Sequence, residues 1–168
     1  MWTDRMRGAP WTSLARFAAM WLVVLASGVS ASADPGLSNL VGAWSGSGRL
    51  HYRDGSSEGI RCTAYYTLQA STFSLAIQCR SEKNPIHIRS RLDVSGNRLS
   101  GTWEERTFNA TGTATGTVSG DNIRLTVGGG GFSGTMTVSI GRSTHNVRIE
   151  TQGIAMSRAT IGLRKTGK

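Results

Sequence analysis

The stretch Ile60-Arg-Cys62-Thr-Ala64-Tyr-Tyr66-Thr-Leu68-Gln-Ala70-Ser71-Thr-Phe73-Ser-Leu75-Ala-Ile77-Gln-Cys79-Arg80 decides the fold. Folded about a two-residue turn at Ala70-Ser71, it sets Cys62 against Cys79, Ala64 against Ile77, Tyr66 against Leu75 and Leu68 against Phe73. All of these fall on one face of a hairpin, because strand side chains alternate between faces. The other face collects Arg61, Thr63, Tyr65 and Thr67 against Ser74, Ala76, Gln78 and Arg80. A slip of one residue would turn the apolar set into water, so the register is strongly specified. Two facing cysteines, with no C-x-x-C spacing and too few ligands for structural zinc, read as a structural disulfide, Cys62–Cys79.

The same alternation runs downstream. Ile86, Ile88, Leu92 and Val94 share one side with Leu99, Gly101 and Trp103 across the Ser95-Gly96-Asn97 turn. Ile123, Leu125 and Val127 follow, then Phe132, Met136, Val138 and Ile140, then Val147 and Ile149, then Ala159, Ile161 and Leu163. Turn residues punctuate the chain at Asp54-Gly55, Asn109, Gly120-Asp121, Gly128 to Gly131, Gly141 and Gly153. No long stretch carries apolar residues at helical spacing. The pattern predicts an all-β protein: a single antiparallel up-and-down β-barrel of about eight to ten strands, after an N-terminal signal peptide helix. Closure of the meander into a barrel removes its sheet edges.

The signal is read from Arg5, Arg7 and Arg16, the apolar run Phe17 to Ala26, and the small residues Ala31-Ser32-Ala33. Basic, apolar and A-x-A segments in that order mark a secretory signal cut after Ala33, and the apolar run is short for a membrane span. The expected organisation is therefore a signal peptide over 1–33, an N-terminal segment over 34–41 and a barrel over 42–166. It places the protein in the periplasm or outside a bacterial cell, with no membrane span after cleavage. A disulfide suits that oxidising setting.

The whole chain carries 19 Lys and Arg against 10 Asp and Glu, a formal +9. The cations stand singly, with no basic run, so no nucleic-acid arm is indicated. Such a surface attracts anionic neighbours, a small anionic ligand or an acidic envelope partner among them.

Chemistry is harder to find. His51, His87 and His145 are dispersed, with no second ligand at close spacing, so no metal site is read. There is no G-x-S-x-G elbow, and Gly128 to Gly131 precede no helix and no Lys-Ser/Thr pair, which excludes a phosphate loop. Of Glu104 and Glu105, adjacent on a strand, only Glu105 faces inward, and nothing in the spacing brings a second carboxyl opposite it. No catalytic residue and no cofactor are expected.

Gly42-Ala43-Trp44, followed by Ser45-Gly46-Ser47-Gly48, opens the first strand beyond the signal. This G-x-W resembles the calycin superfamily of lipocalins, fatty-acid-binding proteins and avidins. The resemblance implies that Trp44 closes one end of the barrel under a basic residue of the last strand, a place held by Arg164. Later lipocalin motifs are missing, and the cysteines do not match the usual lipocalin bridge. The run of G-x-W-x-G-x-G, a Cys pair and Gly101-Thr-Trp103-Glu is also similar to small secreted proteins of Gram-negative bacteria. Small periplasmic metalloprotease inhibitors share the G-x-W and a single disulfide. By that resemblance residues 34–41 would enter a protease cleft, and the plainer reading is a frayed or strand-covering terminus.

The small inward positions Gly46, Gly48, Gly101, Gly112, Ala114, Gly116 and Gly134 either let backbones approach or leave space inside. Space would create a pocket walled by Trp44, Tyr66, Phe73, Trp103 and Met136, with Glu105 for a polar group. The expectation is a non-enzymatic periplasmic binding protein for a small hydrophobic or amphiphilic ligand. The competing reading is an envelope interaction protein, like a protease or lysozyme inhibitor or an assembly factor, using its basic face or its N-terminal segment.

Overall fold

A computed structural model describes residues 35–83 and 85–167. The expected signal, residues 1–33, lies outside the described residues. Helix α1 (Pro35–Leu40) leads into ten strands: β1 (Gly42–Tyr52), β2 (Ser57–Gln69), β3 (Thr72–Arg80), β4 (Pro85–Ser95), β5 (Arg98–Glu105), β6 (Ala110–Ser119), β7 (Asn122–Gly129), β8 (Phe132–Ile140), β9 (Thr144–Gln152) and β10 (Met156–Gly167). Each pairs antiparallel with its sequence neighbour, and β1 pairs with β10 to close the barrel. The all-β up-and-down barrel holds, at the upper strand number.

The hairpin register is the one the alternation dictates: Cys62↔Cys79, Ala64↔Ile77, Tyr66↔Leu75 and Leu68↔Phe73. The two cysteines form a disulfide with a sequence separation of 17, and closing a loop of that size stabilises by about 3 kcal/mol in the chain-entropy account. Its turn residue Ala70 has φ 50°, as do comparable corners at Gly96 (59°) and Gly120 (54°). Every inward set read from the alternation packs into the core or against it. Outward positions are mostly polar, with Arg, Thr and Ser prominent, the reverse of a barrel whose outer wall meets lipid. Among the described residues no helix is long and apolar enough to cross a membrane.

The inward glycines settle one open choice. A Cβ on Gly46 or Gly48 would lie 1.9 or 2.1 Å from the carbonyl oxygens of Gly162 and Thr160 on β10. These positions let strands coil tightly at the closure seam; they do not hollow the interior. Of the seven small inward positions, only Ala114 borders the cavity described below.

Strand direction gives the barrel two ends. The lower end gathers the starts of β1, β3, β5, β7 and β9, and α1 lies across it, touching β2, β6 and β8. The upper end gathers the turns that follow β1, β3, β5, β7 and β9.

Candidate functional site: an apolar cavity at the upper end

The lower end is sealed. Leu37 and Leu40 of α1 are fully buried, and the Trp44 indole Nε1 donates to the Leu40 carbonyl at 2.6 Å. Beneath them His145 packs edge-on against Trp44, centroids 4.5 Å apart, and its Nε2 lies 3.0 Å from the Tyr66 hydroxyl. Tyr66 in turn stacks on Phe73 at 5.9 Å. Burial pushes the Tyr66 phenol up and the His145 imidazole down, the latter to about 4. An imidazole in apolar surroundings has no water to stabilise its charge, so His145 is neutral near pH 7.

The cation over Trp44 is Lys165, its Nζ 5.4 Å from the ring and 3.4 Å from the Asn39 carbonyl. This corrects the assignment to Arg164. Leu163 points inward, so Arg164 points out beside Ser45, and an irregularity between Ala43 and Trp44 brings Lys165 opposite the indole. A cation on an indole contributes roughly 0.5–2 kcal/mol, according to its burial.

The upper end is hollow. A cavity of about 450 Å³ opens there, within the range of small-molecule sites. Trp103 forms one wall: its ring lies over Gly112, where a Cβ would come within 2.7 Å of the indole, and it tilts against Phe132 at 5.1 Å. Met136, Leu125, Val127 and Ile149 continue the apolar lining, with Ile86, Ile88, Ile77 and Leu75 opposite. Phe108, 62 % exposed, stands at the mouth, whose lining also includes Ile154 and Met156. Gly130 borders the same mouth, in a turn where Gly129, Gly130 and Gly131 all have positive φ.

Glu105 faces inward among these side chains, but its oxygens are occupied. Oε1 accepts from the His87 backbone N–H at 2.8 Å and Oε2 from that of Phe108 at 2.7 Å. Burial alone would raise its carboxyl. The N–H groups of His87, Phe108 and Thr107, with the Thr107 hydroxyl, outweigh that and hold it below the ordinary carboxylate value. Glu105 thus latches the turn that carries Phe108.

Of the residues grouped by sequence as a ligand wall, the structure brings Trp103, Glu105 and Met136 together around the cavity. It places Trp44, Tyr66 and Phe73 in the packed lower end instead. Their shared inward face misled the grouping, because alternation reports which side a residue faces and not how deep it lies. Two groups were missed. His145 is in phase with Val147 and Ile149, so its inward position was readable. Glu58, 8 % exposed, is in phase with Ile60 and Cys62, and its Oε1 takes a hydrogen bond from the Tyr52 hydroxyl.

Of the segment 34–41, which the resemblance would send into a protease cleft, residues 35–40 form α1 and bury Leu37 and Leu40. Two larger depressions, about 910 and 780 Å³, lie on the outer wall among Arg, Thr and Ser side chains. Both are open to water.

The closed ten-strand antiparallel barrel fits the calycin-like class. Among solved structures it is similar to Rv2717c from M. tuberculosis, with TM-score 0.66 and 16% identity over 80% of this chain and 99% of that one. It is also similar to the S-type phycobiliprotein lyase CPES from Guillardia theta, with TM-score 0.53 and 14% identity over 79% of this chain and 92% of that one. At such identities the likeness is one of fold. No protein-family model matches the sequence, and no curated protein matches it significantly.

Proposed function

We propose that the protein is a non-enzymatic, exported binding protein for a small hydrophobic or amphiphilic ligand, held in the upper cavity. The observation that carries this reading is the cavity itself, an apolar space of about 450 Å³ beneath a mouth carrying an exposed Phe108. A buried apolar wall gains about 25 cal/mol for each Å² withdrawn from water when a ligand fills it. A non-enzymatic role is supported by how the polar groups are used: Glu105 is tied to backbone N–H groups, and Tyr66 with His145 lies sealed under α1. The disulfide and the polar outer wall are compatible with the periplasm or an extracellular medium. One protein of this fold is named a phycobiliprotein lyase; the ligand here is argued from this barrel's own walls.

Beyond residue 33 the chain contains only two tryptophans, Trp44 and Trp103. A Trp44→Phe variant therefore reports Trp103 alone. Titrated with diphenylhexatriene, an uncharged hydrocarbon, it is expected to show saturable energy transfer from Trp103. A linear, unsaturable response with the folded protein would overturn the reading.

One observation favours a second reading, an interaction protein working through its basic face. Strand register gathers arginines that stand singly in the sequence into one outer ladder: Arg49–Thr160–Arg148–Thr137–Arg124–Thr117–Arg98. Arginines on alternate strands are about 10 Å apart, a spacing suited to an extended polyanion, although Glu150 pairs with Arg148 at 2.6 Å. On an immobilised polyanion, Arg124→Glu should lower the eluting salt more than Arg61→Glu, an equal charge change elsewhere. Equal shifts would reduce the effect to net charge.

A further inference from the structure

The cavity has a charge character opposite to that of the whole molecule. Among the described residues that line it there is no lysine, arginine or histidine. Two basic side chains of the rim turns are engaged, while Arg106 is exposed on the turn that carries Phe108. Arg53 donates to the carbonyls of Thr151 and Ile154, and the Lys83 ammonium lies 4.8 Å above the Tyr52 ring.

Two carboxylates face the interior instead. Glu105 has both oxygens filled by backbone N–H groups. Glu58 does not. It is not itself part of the lining: it stands behind the wall, paired across the sheet with Leu50 and hydrogen-bonded to Tyr52, both of which line the cavity. Its Oε1 is occupied by the Tyr52 hydroxyl, while its Oε2 is buried with no partner. Burial, then the hydrogen bond to Glu58 and the charges of Glu58 and Asp54, push the Tyr52 phenol up to about 12. Tyr52 is therefore a donor at any pH the protein meets, and it leaves Oε2 as a buried acceptor without a donor. A buried carboxylate oxygen without a donor is costly, and an incoming N–H or O–H removes that cost.

Resting on the reading of the cavity as a ligand site, we infer that its ligand carries a hydrogen-bond-donating head, a protonated amine being the strongest case, which inserts between the Leu50 and Tyr52 side chains to dock on the unpartnered Oε2 of Glu58. Its apolar body lies against Trp103, Phe132 and Met136. A carboxylate-headed amphiphile of the same length meets an acidic oxygen and no cation on the wall, and is disfavoured.

The test is a matched set of ten-carbon chains, decylamine, decanol and decanoate, titrated below their micellar concentrations against the oxidised protein and read by Trp103 emission in the Trp44→Phe background. Affinity should fall in the order amine, alcohol, carboxylate. Glu58→Gln, which keeps an acceptor for Tyr52, should weaken the amine by about tenfold or more, as expected for loss of a charge-assisted hydrogen bond, and change the alcohol little. Tyr52→Phe opens the second oxygen and should tighten the amine, so the inference stays testable if Glu58→Gln fails to fold. Decanoate binding as tightly as decylamine, or an amine-to-carboxylate ratio unmoved by the folded variants, overturns the inference and leaves the cavity reading standing. Binding of none of the three, and of no diphenylhexatriene, overturns both.

Discussion

At the lower end of the barrel Trp44, Tyr66 and Phe73 close on His145 beneath α1, whereas at the upper end Trp103 and Phe132 surround a space. Both ends draw on inward-facing aromatic residues of the strands. The difference lies in what crosses the opening. Below, a six-residue helix inserts Leu37 and Leu40. Above, only turns rim the mouth, and a carboxylate latch at Glu105 organises one of them. A barrel of this kind is packed at one end and hollow at the other.

The sharpest contrast is expected between the two tryptophans. Trp44→Ala should cost about 3–5 kcal/mol, the usual toll for a large aromatic lost from a packed site, because Trp44 is buried against α1 and His145. Trp103→Ala should cost less, since one face of its ring borders space, but should remove ligand binding. Urea unfolding of both variants, with a ligand titration of the second, checks the pair. Equal costs would mean that the upper end is packed too.

Acid should break the lower end first. Burial pushes the folded His145 imidazole down to about 4 from an ordinary value of 6.5. Its depressed folded value means that the unfolded chain binds the proton more readily. Stability is complete above pH 6.5 and is lost as pH falls toward 4, by roughly 3 kcal/mol in all. Denaturation midpoints from pH 7 to 4 should show that slope, and His145→Gln should flatten it. An unchanged slope in the variant would assign the effect elsewhere.

The smallest effect is expected at the latch. Glu105→Gln should cost about 1–2 kcal/mol and speed hydrogen exchange at the Phe108 and His87 amides, leaving the lower end protected. The contribution of Glu105 is present above the ordinary Glu value and lost as pH falls through its lowered folded value, so its slope lies on the acid side of that of His145. Exchange that quickens equally around Trp44 would show that the two ends are not independent.

Much of this molecule was legible before any coordinates. A period of two, with Cys62 and Cys79 in phase with Ala64, Tyr66, Leu75 and Ile77, carries register, burial and disulfide at once. Depth did not show in the same way. Whether Tyr66 or Trp103 sits near the mouth depends on strand direction and on how β1 meets β10, which alternation does not report. The plug was equally silent, because six residues are too few to display a helical period, and Leu37 and Leu40 make one turn only. Lys165 was hidden by an irregularity opposite Trp44 that no residue pattern announces. Glu58 and His145 were in phase with their inward neighbours, yet polar residues are usually read outward.

The most direct trial of a packed end and a hollow end is to overfill each. Ala64→Phe, beside Trp44, and Ala114→Phe, on the cavity wall, add the same volume to opposite ends. In thermal and urea unfolding, Ala64→Phe is expected to lose about 1–3 kcal/mol from overpacking. Ala114→Phe is expected to keep or raise stability while losing the diphenylhexatriene signal. If Ala114→Phe is destabilised as much as Ala64→Phe, the upper half is filled and the account of a binding barrel is contradicted.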